Sequence, residues 1–246
     1  MPRIFNAIRQ RLLKESRLTR YLVYAVGEIL LVVIGILIAL QVNGWNQARQ
    51  AREAECTVLH KLLVDLRANA THFEQEQLKM ERQRTHTQLL LDIMRSDPAP
   101  EALGALDTLL FQGTEVVILQ PQLEYLHSVL NNKMELIADD EVQERLTRFP
   151  AVHNRYKAAE AILRGITTNR LRPRMQEYIY LRGLNPAHQE FPSDRRALLA
   201  DRTIANMLTD RYWEMGDWFK GMKALREENE LLIASIEAYL SRSCKK

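Results

Sequence analysis

The sequence predicts an all-α membrane protein in which one N-terminal transmembrane helix continues into an extracytoplasmic antiparallel bundle of long helices. Two observations support this prediction. A predominantly apolar stretch runs from Tyr21 to Val42 with Glu28 as its one ionisable residue, and a helix needs about 20 such residues to cross the hydrocarbon core of a bilayer. The chain as a whole is rich in Ala, Leu, Glu, Arg and Gln and holds only nine Gly and eight Pro, a composition typical of helices.

The chain divides into three segments. We expect residues 1–20 to form a cytoplasmic basic amphipathic segment, residues 21–44 a transmembrane helix, and residues 45–246 a periplasmic helical domain. In the first segment the apolar side chains fall on one side of a helix and basic ones towards the other, which is typical of a helix lying on an anionic leaflet. A solvated basic tail is the alternative. The apolar residues are Ile4, Phe5, Ile8 and Leu12, and the basic ones are Arg3, Arg9, Arg11 and Lys14.

The apolar stretch could instead be a cleaved signal peptide or a buried helix of a soluble protein. A signal peptide has a shorter apolar region followed by a small-x-small cleavage site, and residues 39–45 match such a site poorly. A helix in a soluble core usually keeps a polar face, whereas Glu28 is the one ionisable residue between Tyr21 and Val42. We therefore expect a retained transmembrane helix.

The charges that flank this helix predict its orientation. Six Lys or Arg precede it, while Arg49 and Arg52 after it are offset by Glu53 and Glu55. Because Lys and Arg accumulate on the cytoplasmic side of membrane proteins, the N-terminus should be cytoplasmic. The domain would then lie in the periplasm, with the helix in a bacterial inner membrane.

Aromatic residues stand at both ends of the predicted helix. Tyr21 and Tyr24 lie at one end and Trp45 at the other, as expected of side chains that anchor a helix at the two membrane–water interfaces. Membrane lipid is therefore a predicted partner.

Glu28 needs an explanation, because a carboxylate at membrane depth is costly unless it is neutral, paired or beside water. At 100° per residue it shares one stripe with Gly35 and Ala39, a small-x-x-x-small pattern that lets helices pack closely. We interpret this as a contact stripe for other transmembrane helices. Snorkelling of Glu28 towards Arg17 or Arg20, or proton or ion translocation, are the alternatives.

Beyond Trp45 the sequence predicts one long helix. It lacks Gly and Pro until Pro98, and Pro98 and Pro100 should end it. Residues recur in heptad fashion, which predicts a continuous packing face. The repeat comprises Leu59, Leu66, Phe73, Met80, Thr87 and Met94, with Leu62, Ala70 and Leu91 in companion positions.

Further helices should complete a bundle. We expect short helices at 102–111 and 122–131, with Gly113 ending the first. A long helix should start at Asp139 or Asp140 and reach about residue 182 with a kink at Pro173, followed by a stop at 183–186. A last helix should run from about residue 195 to about Leu240.

If residues 101–138 double back, the bundle becomes antiparallel. Cys56 and Cys244 would then lie at the same end and could form a disulfide. Two free thiols remain the alternative.

Catalytic and metal-binding signatures are missing from the sequence. Its histidines show no metal-site spacing, and no nucleophile elbow, phosphate loop or dinucleotide motif occurs. We expect no enzymatic activity, cofactor or metal. Nucleic acid is also an unexpected partner, because basic and acidic residues nearly balance beyond residue 45. The histidines are His60, His72, His86, His127, His153 and His188.

Two other groups have a structural and a functional interpretation. An aromatic group near the C-terminus could line a ligand pocket, although such rings more often belong to a core. A basic run in the middle of the chain could bind an anionic partner, although such a run is more often solvated. The aromatic group is Tyr212, Trp213, Trp218 and Phe219, and the basic run is Arg164, Arg170, Arg172 and Arg174.

The stretch YAVGEILLVVIGILIALQVNGWN, within residues 21–46, resembles the N-terminal signature of an uncharacterised bacterial membrane family, domain of unknown function 6090. The stretches LEYLHS and MELIAD, within residues 123–139, are similar to that family's middle segment, although Val129 replaces the usual Gly. The resemblance implies a single-span helical protein without an assigned activity, and no functional residues can be transferred.

These observations favour a non-catalytic, membrane-anchored subunit that binds and stabilises a larger membrane complex, for example a respiratory or photosynthetic one. Its partners would be the transmembrane helices of that complex, and a homo-oligomer is compatible with the sequence. One alternative is a periplasmic ligand sensor that signals through a partner, because so few residues lie in the cytoplasm. The other is an ion-driven motor or transport subunit that uses Glu28.

Overall fold

The computed structural model describes residues 17–96, 100–181 and 191–244. Within these ranges the secondary structure is helical and contains no strand. The chain separates into two compact units, Met1–Ala54 and Glu55–Lys246. The predicted all-α class is therefore confirmed. The amphipathic arrangement predicted for residues 1–16 and the helix stop predicted at 183–186 lie outside the described residues.

Helix α1 extends over Arg17–Arg95 and so contributes to both units. Every residue from 21 to 54 is exposed. This part of α1 is long and apolar enough to cross a membrane, and it is the one such helix among the described residues. Its composition is thus compatible with the predicted membrane anchor.

The second part of α1 supplies one wall of the larger unit. Its inward face carries the predicted seven-residue repeat, of which Leu59, Leu66, Phe73, Met80 and Thr87 are fully or almost fully buried. The helix ends at Arg95, where the amide and hydroxyl of the next residue bond back to the carbonyl of residue 93. The predicted long helix and its end are confirmed.

The chain then returns along α1 through short elements. Helix α2 spans Pro100–Gly113, residues 115–123 are non-helical, α3 spans Glu124–Asn132 and a 3₁₀ turn spans Met134–Leu136. Three contacts record the reversal: Thr87 bonds the carbonyl of residue 113, Asn69 that of residue 122, and Glu55 accepts the amide of residue 138. Residues 101–138 therefore double back, as the antiparallel arrangement requires.

Helix α4 spans Asp140–Gly165. Asp139 caps it by accepting the Val142 amide at 3.0 Å, which confirms the predicted start. A π-helical segment, Ile166–Leu171, and the short helix α5, Arg172–Met175, continue the same direction of chain. The prediction that this helix reaches residue 182 is wrong. Pro173 has no N–H to donate and its ring crowds the preceding turn, so the wider π segment precedes it. The helix then ends at Met175.

Two helices occupy the region for which one was predicted. Helix α6 spans Arg195–Ala200 and α7 spans Arg202–Ser243. Asp201 separates them with an extended backbone, φ −77° and ψ 105°, and its carboxylate accepts the Thr203 amide at 2.7 Å. The break is a capping event that the continuous helical composition of the region does not reveal.

Helix α7 runs antiparallel to both α1 and α4. Along α1, Arg67 pairs with Glu237 and Gln77 bonds Arg226. Along α4, contacts progress in the same opposite sense, from residues 141 and 235 to residues 167 and 211. The predicted antiparallel bundle is confirmed. One apolar cluster contains Phe73, Phe149 and Trp218, and a second is built on residues of α2, α6 and the end of α1.

Candidate functional site

The predicted contact stripe lies in the first unit. Glu28, Gly35 and Ala39 are all exposed, and a Cβ added at Gly35 meets nothing within 4 Å. The described part of the chain therefore leaves this face free for another molecule. The contact stripe stays a prediction.

The predicted interface anchors lie at the ends of the apolar stretch. Tyr21, Tyr24 and Trp45 are 78%, 74% and 69% exposed. Side chains this large and this exposed suit the boundary between lipid and water. Their anchoring role stays a prediction.

Cys56 and Cys244 form a disulfide, with their Cα atoms 6.1 Å apart across a sequence separation of 188. Next to it, the buried carboxylate of Glu55 accepts the Ala138 amide at 2.6 Å and the Tyr239 hydroxyl at 2.8 Å. Burial and this hydrogen bond raise the pKa of the Tyr239 phenol. The start of the second unit, the link before α4 and the end of α7 thus meet at one place.

A buried polar series on α1 was not anticipated from the sequence. Glu55, Asn69, Glu76 and Gln83 lie at multiples of seven residues and are all at most 6% exposed. The predicted companion position, Ala70, is only half-buried. The sequence does contain a signal for this series, namely polar side chains that recur every seven residues. The signal is hard to recognise, because the inward face of a helix is expected to be apolar.

Asn69 shows what this polar series does. Its amide group donates to the Gln122 carbonyl at 2.9 Å and its side-chain oxygen accepts the Gln122 amide at 2.8 Å. From α4, the fully buried Glu160 accepts the Leu119 amide at 3.0 Å. Since non-helical backbone must find partners where it is buried, these side chains allow residues 115–123 to pack along the bundle.

Arg211 is fully buried and bonds the C-terminus of α2. Its guanidinium donates to the Gly113 carbonyl at 3.1 Å, to the Glu115 carbonyl at 2.6 Å and to the Thr167 hydroxyl in the π segment. Burial, with the nearby charge of Arg172, lowers the pKa of Arg211 to about 10. It still carries its charge at neutral pH, where helix C-terminal carbonyls favour a cation.

Members of the predicted basic run are largely used within the bundle. Arg170 lies 3.6 Å from Asp210, Arg172 donates to the Thr114 carbonyl at 3.4 Å and Arg174 bonds Asp201 at 2.7 Å. Arg164 is exposed. Three of the four arginines therefore bind groups within the bundle and do not form a free surface for an anionic partner.

The aromatic group separates into three environments. Trp218 is buried and donates from its indole to the Tyr156 hydroxyl at 3.1 Å, whereas Trp213 is exposed. Tyr212 and Phe219 hold the Arg84 guanidinium 5.0 and 5.7 Å from their ring centroids. With other side chains of α1 they line an open groove of about 530 Å³. Trp218 thus belongs to the core, and Phe219 and Tyr212 pack against the two apolar clusters from their edges.

The residues that the structure describes contain no group of three or more His, Cys, Asp or Glu side chains arranged for a metal ion. Of the histidines, His188 lies outside the described residues. His153 is half-buried, and burial together with the charge of Lys157 lowers its pKa. The expectation that the chain is not an enzyme stays a prediction.

Comparison with family models gives a match over the first part of the described chain. Residues 28–96 match the sequence model of a family described as "Family of unknown function (DUF6090)", which confirms the resemblance seen in the sequence. The matched region begins at Glu28 and follows α1 to its end. The second stretch of resemblance, at 123–139, lies outside the match. No curated protein and no solved structure matches the chain.

Proposed function

We propose that this chain is a non-catalytic, membrane-anchored subunit that binds the transmembrane helices of a larger membrane complex. One observation carries the proposal. The large apolar side chains from Tyr21 to Val42 are all at least 45% exposed, and apolar surface of this extent is unfavourable in water at roughly 25 cal/mol per Å². Lipid and partner helices are the surroundings that remove this cost.

The orientation proposed for this anchor places the N-terminus in the cytoplasm and the second unit in the periplasm of a bacterial inner membrane. The excess of Lys and Arg before the span supports this orientation. The disulfide between Cys56 and Cys244 supports it independently, because such bonds persist in oxidising compartments and are rare in the cytosol.

Partner recognition within the membrane is assigned to Glu28, Gly35 and Ala39. The absence of a Cβ at Gly35 permits a second helix to approach closely, and a protonated or hydrogen-bonded Glu28 supplies a polar contact where water is scarce. Because nothing in the described chain lies within 4 Å of a Cβ added at Gly35, a larger side chain there disturbs an intermolecular contact and no contact within the chain.

The test compares Gly35→Leu with Gly44→Leu in the full-length chain. The two glycines lie nine residues apart and so on opposite sides of α1, and neither has a neighbour that an added Cβ would meet. Both substitutions raise helix propensity equally. We expect Gly35→Leu to reduce the recovery of co-purifying membrane proteins by about tenfold, equivalent to about 1.4 kcal/mol, while Gly44→Leu leaves it unchanged.

The measurement is quantitative mass spectrometry after purification in mild detergent. Equal recovery of partners with both variants would show that the stripe is not the contact. A wild-type chain that purifies without any stoichiometric membrane protein would remove the subunit proposal altogether.

A further inference from the structure

The outward face of α1 in the second unit carries a heptad pattern of its own. Between residues 64 and 89, eight positions follow one another at alternating spacings of four and three residues. This spacing places all eight on one side of the helix. Their side is opposite to the buried repeat that begins at Leu59. In heptad notation the d positions are Val64, Thr71, Leu78 and Thr85, and the a positions are Ala68, Gln75, Arg82 and Leu89.

This outer seam is exposed and almost uncharged. All eight residues are exposed, including Val64 at 67%, Leu78 at 56% and Leu89 at 44%, and Arg82 is its one charged member. The exposed face of α7 differs, because charges dominate it as on an ordinary solvated helix. Those α7 residues are Asp217, Lys220, Lys223, Glu227, Glu230 and Glu237.

Charged residues flank the seam in an order that suits a second copy of the same helix. In a parallel, in-register pair, each g residue faces the e residue five positions later on the other helix. This rule brings Glu74 of one copy to Lys79 of the other. Glu74 forms no hydrogen bond or ion pair with the described residues. Lys79 is already bonded to Glu76 of its own chain at 2.6 Å, and its side chain, which is 51% exposed, keeps further donors for a second carboxylate.

The neighbouring heptads follow the same rule with weaker charges. Glu81 would face His86, while Arg67 would face His72 without an opposite charge; Arg67 is already bonded to Glu237 at 2.6 Å. An antiparallel pair would instead set g residues against g residues, so that Glu74 and Glu81 meet each other. The flanking charges therefore favour the parallel arrangement.

We propose that two copies of this chain associate in parallel through the outer seam of α1, residues 64–89. The parallel direction rests on the proposed function, since two copies anchored in one membrane enter it with the same orientation. The seam contacts are separate from the stripe of Glu28, Gly35 and Ala39. Arg82 at an a position opposes its counterpart, so the pair is reversible and depends on protein concentration.

The first test is the mass of the full-length chain in detergent, measured by sedimentation equilibrium over a range of concentrations. Leu78→Glu places two carboxylates at the centre of the seam and is expected to raise the dimer dissociation constant at least about tenfold. Leu231→Glu is the matched control, because Leu231 is 47% exposed on α7 and outside the seam. Thermal unfolding by circular dichroism should show both variants folded.

Arg82→Leu tests the seam in the opposite direction, because it should strengthen association. Removing the one charge of the seam is expected to lower the dissociation constant about tenfold. A wild-type chain and an Arg82→Leu chain that both remain monomeric at all concentrations would overturn the dimer. Recovery of other membrane proteins through Gly35 is a separate measurement, so that result would leave the proposed function standing.

The direction of pairing is tested with a photo-crosslinking amino acid in place of Thr85. Peptide mapping on a mixture of isotope-labelled and unlabelled chains should find crosslinks to residues 81–89 of the other copy. Crosslinks to residues 64–72 would show an antiparallel pair, and crosslinks confined to another protein would show that the seam serves a different partner. Either result overturns the proposal.

Discussion

The carboxylate of Asp201 connects three parts of the second unit. Its backbone ends α6, and its side chain caps α7 through the amides of Thr203 and Ile204. The same carboxylate accepts the Tyr178 hydroxyl at 2.8 Å and the Arg174 guanidinium at 2.7 Å. Burial alone would raise the pKa of Asp201, but these donors outweigh it and hold the pKa at about 2.

This low pKa predicts a pH-dependent contribution to stability. A carboxyl whose folded-state pKa lies below its ordinary value of 3.8 stabilises the fold above that value and loses the effect as pH falls through the folded-state pKa. Asp201→Asn should retain the cap but weaken the bond to Arg174. We expect the fall in unfolding free energy between about pH 4 and pH 2 to be shallower in this variant, measured by urea denaturation.

Asp201→Ala is the companion variant. It removes the cap as well, which typically costs about 1 kcal/mol at any pH, so it should be less stable than Asp201→Asn even at pH 7. Identical pH profiles for the wild type and Asp201→Asn would contradict the role of the carboxylate charge.

At the residue scale the two aspartate caps differ in how far the sequence reveals them. Asp139 follows an irregular stretch and precedes a clear helical pattern, so its cap was predictable. Asp201 interrupts a region that reads as one helix and has no Gly or Pro between residues 193 and 215. Its selection as a cap depends on Arg174 and Tyr178, which reach it from more than 20 residues away.

At the element scale the non-helical segment 115–123 is the feature that separates this fold from a simple helical bundle. Its run of Val116, Val117 and Ile118 is β-branched, and Pro121 cannot donate a backbone hydrogen bond, so a helix is disfavoured there. Val117, Leu119 and Leu123 are buried. Side chains of α1, α4 and α7 replace the hydrogen bonds that a helix would have formed within itself.

The segment should loosen when its side-chain partners are removed. Asn69→Leu leaves the partly buried N–H and C=O of Gln122 without their side-chain partner, which should cost about 1–3 kcal/mol for two lost hydrogen bonds. We expect faster hydrogen exchange in residues 117–123 by mass spectrometry, together with a lower urea midpoint.

Gln83→Leu is the matched control at the same heptad position. Gln83 is 4% exposed, and its amide has no hydrogen-bond partner among the described residues. Replacing it with an apolar side chain should therefore be neutral or stabilising by about 1 kcal/mol. Equal destabilisation by both substitutions would show that Asn69 acts through packing and not through its hydrogen bonds.

The elements predicted correctly from the sequence are those with local signals. The end of α1 and the stop at Gly113 follow from Pro and Gly chemistry. The π segment at 166–171 was not predicted, because it depends on Pro173 and on the contact of Thr167 with a buried arginine 44 residues away. The polar repeat on α1 was visible in the sequence, but its purpose required knowing that residues 115–123 pass beside it.

At the scale of the whole molecule the disulfide closes the second unit into a loop. Loop-closure entropy predicts that a bridge across 188 residues stabilises the fold by at most about 5 kcal/mol at 25 °C. We expect reduction, or the double variant Cys56→Ala with Cys244→Ala, to lower the unfolding free energy of the chain by about 2–5 kcal/mol in urea. The reductant should have no effect on the double variant, and equal stability of oxidised and reduced wild type would contradict the prediction.

The proposed function depends mainly on the transmembrane stripe, which is visible in the sequence. Glu28, Gly35 and Ala39 were identified from spacing alone, and the structure adds that nothing from the described chain lies against Gly35. The outer seam at 64–89 is not evident from the sequence, because the inward repeat on the same helix is more apolar and dominates its heptad pattern. Recognising a second repeat required knowing which face of α1 is buried.

The disulfide also determines how the second unit responds to mechanical force. A tensile load applied between residues 54 and 244 passes directly through the bond between Cys56 and Cys244, so the loop that it closes bears almost none of the load. At about 3.5 Å per extended residue, roughly 650 Å of chain is withheld from stretching. Cleavage of one covalent bond would convert a rigid connection into a long extensible one.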